Sequence, residues 1–230
     1  MIDISKLNKN SLAKMFDHTF LKACATEQDF IKLCSEAKDN HFAMVAINSY
    51  PVKLCKKLLQ GSDIHVGAAI GFPLGQTTIE TKYFETKKAI EDGADEIDYV
   101  INVGKVKEGN YGYIEDEMKQ LVQICKEKNV LIKVIFENCY LTKEEIKNVA
   151  LIAKKVRPDF IKTSTGFGSS GAKVEDVKLM KETVGELVKV KAAGGIRDWK
   201  TCKEMIIAGA ERIGTSSSLK ILDEYTKDNE

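Results

Sequence analysis

Short apolar segments alternate with longer amphipathic segments along most of the chain. Between the apolar segments, charged stretches such as residues 79–93, 114–129 and 142–156 place their apolar residues at helical spacing. Seven apolar segments rich in β-branched residues have the length of buried strands, at residues 43–48, 65–72, 96–103, 130–136, 159–163, 187–192 and 212–216. A weaker eighth strand is predicted at 15–21, ahead of a helix at 26–39. Alternation of this kind predicts parallel strands joined by helices.

Eight strand–helix units fit within the 230 residues of this chain. In that length they favour a closed (β/α)8 TIM barrel of the α/β class over a doubly wound sheet. No linker or low-complexity segment divides the chain, so we expect one domain over residues 1–230, with a short N-terminal helix. Thr26 and Thr142 are predicted helix N-caps, and Gly93 and Gly209 are predicted to follow helix C-termini.

The composition is that of an ordinary globular protein, with 43% hydrophobic residues and a formal net charge of +1. The lack of a basic excess argues against a nucleic-acid partner. No apolar run is long enough to cross a bilayer or to serve as a signal peptide, so we expect a cytoplasmic protein with no membrane partner. The six cysteines show no zinc-binding spacing and are expected to be free, mostly buried thiols.

Three lysines lie within or at the ends of predicted strands instead of on charged helical segments. Lys133, Lys162 and Lys191 belong to the fifth, sixth and seventh strands in the order above. Each lysine alone is more consistent with a strand-end side chain whose ammonium group reaches solvent. In a parallel barrel, however, consecutive strands deliver their C-terminal ends to one face, where barrel active sites lie. The three lysines are therefore predicted to share one site.

The fourth strand adds Asp98 to the same neighbourhood, with Asn102 as a further candidate. Close ammonium groups disfavour each other's charge and so lower the pKa of a lysine. A neutral lysine amine can attack a carbonyl group and form a Schiff base. Lys189 shares a strand face with Lys191, and we favour Lys191 because it lies nearer the glycine turn at the end of that strand.

Small residues follow the seventh and eighth strands, where (β/α)8 barrels commonly bind phosphate. These residues are Gly194, Gly195, Gly214, Ser216 and Ser217. Glycine lets an anion approach the backbone N–H groups, and a helix N-terminus favours negative charge. The alternative is that they are ordinary turn glycines and a serine helix cap. We favour a phosphate-binding site and therefore a phosphorylated substrate.

The sequence predicts neither a metal site nor an organic cofactor. His18, His41 and His65 show none of the spacings by which histidines bind zinc. No GxGxxG motif opens a helix after a strand, which argues against a dinucleotide. A Schiff base supplies its own electron sink, so the lysine chemistry needs no cofactor.

Five motifs, in chain order, carry a resemblance to a known family. They are "FDHTFLK", "ADEIDYVINVG", "FIKTSTGFG", "VKAAGGIRD" and "GTSSSL", and the similarity covers nearly the whole chain. Together they resemble the deoxyribose-phosphate aldolases, class I enzymes built on a (β/α)8 barrel. The resemblance implies that Lys162 forms the Schiff base and that Lys191 lowers its pKa. It also implies that Asp98 works with a bound water in proton transfer.

The resemblance further implies reversible cleavage of 2-deoxy-D-ribose 5-phosphate to D-glyceraldehyde 3-phosphate and acetaldehyde, in deoxyribonucleotide catabolism. It implies a homo-oligomer, dimer or tetramer. It places further residues near the substrate, namely Asp17, Thr19, Asn48, Lys133 and Thr165, and it adds Gly166 to the phosphate-binding loops. Two positions depart from the family, because Asn48 stands where many members have cysteine and Phe167 where some have lysine.

Two alternative functions remain open on the sequence. One is another Schiff-base lyase on the same barrel, acting on a different sugar phosphate or on a keto acid. The other is a barrel without catalytic activity that binds a phosphorylated sugar as a sensor. A sensor needs the phosphate loops but not a pair of lysines, so the presence of both Lys162 and Lys191 argues against it.

Overall fold

Eight parallel strands close into a barrel in the computed structural model, which describes residues 2–229. The strands are β1 (Phe16–Thr19), β2 (Met44–Asn48), β3 (His65–Ile70), β4 (Glu96–Val100), β5 (Leu131–Ile135), β6 (Phe160–Lys162), β7 (Lys189–Ala193) and β8 (Arg212–Thr215). Each strand pairs with its neighbours in chain order, and β8 pairs with β1. The predicted (β/α)8 barrel is confirmed, including its weak first strand.

Helices surround the barrel and connect successive strands. They are α1 (Lys9–Ala13), α2 (Glu27–Asp39), α3 (Val52–Leu58), α4 (Ile79–Glu91), α5 (Val103–Lys107), α6 (Tyr111–Glu127), α7 (Lys143–Val156), α8 (Val174–Val184), α9 (Trp199–Ile207) and α10 (Ser218–Asn229). The short helix predicted near the N-terminus is α1. Within residues 2–229, none of these helices has the length and apolar character needed to cross a membrane.

Helix boundaries follow the predicted capping residues. Thr142 precedes α7 and forms a capping box with Glu145, in which each side chain accepts a hydrogen bond from the other residue's backbone N–H. Thr26 is the N-cap of α2, and its backbone N–H and hydroxyl both donate to the Asp29 carboxylate, at 2.8 and 2.7 Å. Gly93 and Gly209 follow the ends of α4 and α9 with φ angles of +104° and +113°, which glycine adopts without strain. These four predictions are confirmed.

The fourth strand ends earlier than its apolar pattern predicts. The segment 96–103 was expected to be a continuous strand, but β4 ends at Val100 and Val103 begins α5. The reason lies in Asn102, whose side chain accepts a hydrogen bond from the backbone N–H of Lys105 and so caps the helix. The expectation that Asn102 reaches the lysine site was therefore wrong.

The two faces of the barrel wall differ in chemistry. Outward-facing residues are apolar and belong to one hydrophobic cluster with the helices, as Ile97 and Tyr99 of β4 do. Several inward-facing residues are charged, and Glu96 and Asp98 of the same strand point into the lumen and are buried there. The fold therefore places its main hydrophobic core between the strands and the helices. The barrel lumen holds a concentration of ionisable groups.

Candidate active site

Strand register brings the predicted lysines together inside the lumen. Lys162 of β6 lies directly opposite Lys191 of β7, and Lys133 of β5 lies opposite Asp98 of β4. All four side chains are buried, with at most 4% of each residue exposed. Lys189, the alternative on β7, is the first residue of that strand and is exposed. It therefore lies outside the cluster of buried lysines. The parallel register thus converts four positions scattered along the sequence into one cluster.

Asp98 is the centre of this cluster. Its Oδ2 atom lies 2.8 Å from the Nζ atom of Lys162 and 2.7 Å from the Nζ atom of Lys191. Its Oδ1 atom lies 2.8 Å from the Nζ atom of Lys133. One carboxylate therefore contacts three amines in a buried site. Three protonated lysines around one carboxylate leave an excess of positive charge.

A closed ring of alternating charges runs from Asp98 towards the N-terminal end of the barrel. In order of contact, its members are Asp98, Lys133, Glu96, Arg212, Asp17 and Lys191, and Lys191 returns to Asp98. The ring holds three cations and three anions, so its charges cancel. Lys162 is attached to the ring through Asp98 and adds an uncompensated charge when its amine is protonated.

The electrostatics of the cluster single out Lys162. The pKa of Lys162 is lowered to about 8, because burial lowers it most, Asp98 opposes that effect, and the nearby Lys191 and Lys133 lower it as well. Burial alone would lower the pKa of Lys133, but contacts with Asp98 and Glu96 raise it above its ordinary value. Burial would raise the pKa of Asp98, but its three lysine neighbours hold it well below its usual range. Lys162 is therefore the lysine prepared to lose its proton, beside a carboxylate that stays ionised.

A cleft of about 560 Å³ opens at the C-terminal ends of the strands. Of the three clustered lysines, Lys162 alone lines it. Other predicted site residues that line the cleft are Thr19, Thr165, Gly166, Gly194, Gly195, Gly214 and Ser216. Because Lys191, Lys133 and Asp98 lie beneath Lys162, they can act on its protonation without obstructing a ligand.

Four predicted substrate or phosphate residues lie outside the cleft wall, namely Lys133 of the buried cluster and three others. Asp17 is fully buried in the charge ring, where it contacts Lys191 and Arg212. Asn48 is partly buried, and its amide lies 3.5 Å from the carbonyl oxygen of Leu21. Ser217 is also partly buried, and its backbone N–H already donates to the Thr215 hydroxyl at 2.9 Å. Among the described residues, these three therefore have protein neighbours where the sequence suggested ligand contacts.

Gly194 and Gly195, which follow β7, and Gly214, which the structure places within β8, serve different purposes. A Cβ atom at Gly194 would lie 3.0 Å from the Cα atom of Gly171, so this glycine lets two loops pack backbone to backbone. A Cβ atom at Gly214 would lie 3.0 Å from Cε of Lys191, so glycine here leaves room for the buried lysine. Gly195 has a φ of +77° and no heavy atom within 4 Å of its Cβ position, which leaves its backbone open to the cleft. The sequence pattern predicted phosphate binding for all three glycines, whereas their surroundings in the structure differ.

Four residues that the sequence analysis did not select belong to the site or its support. Glu96 and Arg212 complete the charge ring, and Arg197 lines the cleft beside the glycine loop. Glu137 is 3% exposed and its carboxylate accepts hydrogen bonds from Thr165. Glu96 lies two residues before Asp98 and so faces the lumen, a signal present in the sequence. Glu137 follows the end of β5, where the inward–outward alternation of strand side chains no longer predicts which way a side chain points.

The chain matches the family model described as DeoC/LacD family aldolase over residues 11–223. It is 61% identical over 216 residues to the deoxyribose-phosphate aldolase of Lactobacillus acidophilus, covering 94% of this chain and 91% of the relative. It is 54% identical over 222 residues to the deoxyribose-phosphate aldolase of Bacteroides thetaiotaomicron, covering 96% and 93%. Both relatives match along essentially the whole barrel.

Solved structures give the same result. A putative deoxyribose-phosphate aldolase from Coccidioides immitis superposes with a TM-score of 0.91 at 35% identity, covering 96% of this chain and 87% of that one. A deoxyribose phosphate aldolase from Aeropyrum pernix, described as a unique tetrameric structure, superposes with a TM-score of 0.87 at 30% identity. That alignment covers 97% of this chain and 94% of the other.

Proposed function

The chain belongs to the DeoC/LacD family of aldolases, and we propose that it cleaves 2-deoxy-D-ribose 5-phosphate reversibly into D-glyceraldehyde 3-phosphate and acetaldehyde. The observation that carries this proposal is the environment of Lys162. Its amine borders the cleft, its pKa is lowered to about 8 by burial and by neighbouring lysines, and Asp98 holds it at 2.8 Å. A lysine with these properties is suited to attack an aldehyde.

The first chemical step in this proposal is imine formation. The neutral amine of Lys162 adds to the aldehyde carbon of the open-chain sugar, and loss of water leaves an iminium ion. Deprotonation of the C3 hydroxyl then breaks the C2–C3 bond, and its electron pair moves into the iminium to give an enamine. The C3 fragment leaves as D-glyceraldehyde 3-phosphate. The iminium is the electron sink, so these reaction steps need neither a metal ion nor an organic cofactor.

We assign the proton transfer to Asp98 acting through a water molecule. Asp98 lies below the cleft wall and is held as a carboxylate, so it can take the C3 hydroxyl proton by way of water. The same proton then returns to the enamine carbon and gives the acetaldehyde iminium. Hydrolysis of that iminium releases acetaldehyde and regenerates the free amine of Lys162. Lys191 is fixed between Asp98 and Asp17, directly beside Lys162.

The phosphate is assigned to the part of the cleft farthest along β7 and β8. Gly195, Gly166 and Ser216 line this part, with Arg197 as a cation in the same wall. An anchored phosphate lets binding energy from a remote group align the sugar carbonyl for attack by Lys162. Phe167 also lines the cleft and brings no charge, so the anion depends on backbone donors, the serine hydroxyl and the cations of the cleft wall, which include Arg197, Lys22 and Lys32.

The wider role follows from the substrate. An enzyme that takes 2-deoxyribose 5-phosphate to two small aldehydes would act in the breakdown of deoxyribonucleotides, in the cytoplasm. We also propose that the chain forms a homo-oligomer, a dimer or a tetramer, with the tetrameric relative from Aeropyrum pernix as support. Light scattering coupled to size exclusion measures the mass directly. A monomer at micromolar concentration would contradict the oligomer without affecting the assignment of Lys162.

Borohydride trapping tests the proposed function. Incubation with acetaldehyde and borohydride should reduce the imine and leave an ethyl group on Lys162, which peptide mass spectrometry locates. The exposed Lys189 is an internal control and should stay unmodified beyond the level given by the denatured protein. Modification at Lys133 or Lys191 instead of Lys162 would contradict the assigned nucleophile.

Product analysis separates this function from that of a different Schiff-base lyase. The enzyme supplied with 2-deoxyribose 5-phosphate should release acetaldehyde and D-glyceraldehyde 3-phosphate in equal amounts. A lyase for keto-acid aldols would instead release pyruvate from its own substrates and leave deoxyribose 5-phosphate unchanged. Activity should also survive treatment with EDTA, because no step above involves a metal ion.

A further inference from the structure

A buried glutamate outside the reaction scheme lies directly behind the loop that follows β6, called here the β6 loop (residues 163–173). Glu137 follows the end of β5 and is 3% exposed. Its φ of +55° places it in the left-handed region, which is uncommon for residues other than glycine and costs conformational energy. Such a backbone persists only when its surroundings hold it in place. The surroundings of Glu137 therefore point to what the residue does.

The backbone on both sides of Glu137 is bonded to β6 and its extension. The N–H of Phe136 donates to the carbonyl of Lys162 at 3.0 Å, and the N–H of Asn138 donates to the carbonyl of Thr163 at 2.9 Å. Glu137 is thus fixed next to the residue assigned as the nucleophile. Its carboxylate points to the loop that follows β6.

The Glu137 carboxylate binds Thr165 in two ways. The backbone N–H of Thr165 donates to Oε1 at 3.1 Å, and the Thr165 hydroxyl donates to Oε2. The same hydroxyl oxygen accepts a hydrogen bond from the backbone N–H of Phe167 at 3.0 Å. The Thr165 hydroxyl is therefore engaged as donor and as acceptor within the protein. Its role is to shape the turn through Gly166 instead of donating to a ligand.

Close packing reinforces this arrangement. A Cβ atom at Gly168 would lie 3.2 Å from the carboxyl carbon of Glu137 and 2.5 Å from the sulfur of Cys139. The β6 loop is therefore pressed against the segment that contains Glu137. Thr165, Gly166 and Phe167 form one wall of the cleft, whereas Glu137 does not line it.

We propose that Glu137 is a positioning residue, which fixes the Thr165–Gly166–Phe167 wall relative to Lys162. This proposal rests on the proposed function, since the wall is the one that would face the sugar phosphate. Glu137 acts through Thr165 and touches no substrate. A displaced wall should disturb a substrate that fills the cleft far more than acetaldehyde, which needs only Lys162.

The test compares four single variants and one double variant on two reactions. Glu137→Ala removes both acceptors, Glu137→Gln keeps one, Thr165→Val removes the hydroxyl at similar volume, and Glu144→Ala changes an exposed glutamate of α7 as a matched control. Glu137→Ala should lose on the order of 10–100-fold in kcat/KM for deoxyribose 5-phosphate, the scale at which a misplaced contact acts. The rate of borohydride trapping with acetaldehyde should change less than about threefold, since the nucleophile is intact.

The remaining variants show whether the effect passes through Thr165. Thr165→Val should reproduce part of the loss, and the double variant with Glu137→Ala should be no worse than Glu137→Ala alone, because both remove one connection. Glu137→Gln should recover most of the activity, and Glu144→Ala should match the parent. If Glu137→Ala fails to fold, Thr165→Val alone carries the test, and it should lose kcat/KM for deoxyribose 5-phosphate while acetaldehyde trapping stays near the parent rate.

Two results would overturn the proposal. One is additive losses in the double variant, and the other is equal losses in sugar-phosphate cleavage and acetaldehyde trapping. Parent-like kinetics in all Glu137 variants would overturn it as well. Failure of the proposed function has a different signature, because the parent enzyme itself would then neither cleave deoxyribose 5-phosphate nor form an adduct at Lys162.

Discussion

Two lysines are buried on opposite sides of β4. Lys82 of α4 lies between the barrel wall and α6, where its Nζ atom is 2.5 Å from Oε1 of Glu117. Neither side chain of that pair is exposed. Lys162 lies on the lumen side, 2.8 Å from Asp98, with 5% of its side chain exposed. The two amines therefore have the same kind of partner and nearly the same burial.

Charge balance and access separate the two sites. Lys82 has its own carboxylate, so the pair is neutral as a unit, and Glu117 uses its second oxygen to accept the backbone N–H of Asn102 at 3.2 Å. Burial lowers the pKa of Lys82 and Glu117 opposes it. Lys162 shares one carboxylate with two other lysines and also borders the cleft. Lys82 and Lys162 thus share burial and a lowered pKa. Only Lys162 of these two also has other lysines close by and contacts the cleft.

Replacing each lysine by methionine should separate activity from stability, and the largest effect falls on activity at Lys162. Lys162→Met removes the nucleophile and should reduce turnover of deoxyribose 5-phosphate by at least about 10³-fold. The free energy of unfolding should stay the same or rise, because a crowded ammonium is exchanged for an apolar side chain of similar volume. Turnover and chemical denaturation measured on one preparation check both parts.

An exposed lysine of β7 provides the control for this variant. Lys189→Met changes the same residue type near the barrel but outside the cluster, and both measurements should match the parent. A large loss of stability in Lys162→Met would mean that the Lys162–Asp98 contact holds the barrel together. The contrast with Lys82 would then disappear.

The opposite outcome is expected at Lys82. Lys82→Met leaves the Glu117 carboxylate buried without its cation, which should cost about 3–5 kcal/mol in the free energy of unfolding. Turnover per folded molecule should change little, because this site lies on the far side of β4 from the cleft. Urea denaturation measures the loss in the free energy of unfolding. Activity at urea concentrations below the unfolding transition measures turnover per folded molecule.

A double variant tests whether that loss comes from an unpaired charge. Lys82→Met with Glu117→Leu replaces both charges by apolar groups and should recover a large part of the stability. The N–H of Asn102 would still lack its acceptor, so recovery should be incomplete by about 1–3 kcal/mol. If the double variant is no more stable than Lys82→Met, shape at this site matters more than charge.

A smaller effect is expected when the crowding around Lys162 is reduced. In the parent, the rate of imine formation should rise with pH through a pKa of about 8, as the Lys162 amine loses its proton. Lys191→Met removes one of the two nearby cations, so the pKa of Lys162 should rise by about one unit. At neutral pH the rate should fall about tenfold and recover in alkali. A rate–pH profile that stays in place would show that Lys191 does not contribute to the lowered pKa of Lys162.

The sequence was sufficient for the parts of the site that follow strand periodicity. Lys133, Lys162 and Lys191 were found because an apolar strand makes a lysine conspicuous, and parallel strands deliver them to one end. The same alternation, applied two residues earlier, would have found Glu96 before Asp98. The charge ring was thus within reach of the pattern.

Other features depend on local geometry or on distant contacts. Lys82 reads as a solvated residue of a charged helix, and its burial against Tyr99 and Glu117 appears only once α4 and α6 are packed on the barrel. Asn102 was a further candidate because strand-like residues continue to 103, whereas helix capping determines its position. Glu137 depends on a left-handed backbone and on Thr165, 28 residues away.

The smallest effect is expected where the charge ring meets solvent. His65 begins β3, its side chain is 44% exposed, and its Nδ1 atom lies 2.7 Å from Oε1 of Glu96. Its hydrogen bond to Glu96 raises the pKa of His65, partial burial opposes that rise, Asp95 adds to it, and Arg212 reduces it. No comparable titration is expected at the Lys82–Glu117 pair, whose two side chains are fully buried.

Replacing His65 should therefore have an effect on stability that depends on pH. A pKa raised in the folded state stabilises the protein fully below the unfolded value of about 6.5, and this stabilisation is lost as pH rises through the folded value. The parent should exceed His65→Gln by less than about 1 kcal/mol near pH 5.5, because water screens a pair that is nearly half exposed. The difference should vanish near pH 9. Turnover should be unchanged, since the ring keeps three cations and three anions without His65. A shift of the Lys162 rate–pH profile in His65→Gln would instead show that charge at the solvent end of the ring reaches the cleft, so that the lumen cluster is not insulated as the Lys82 pair is.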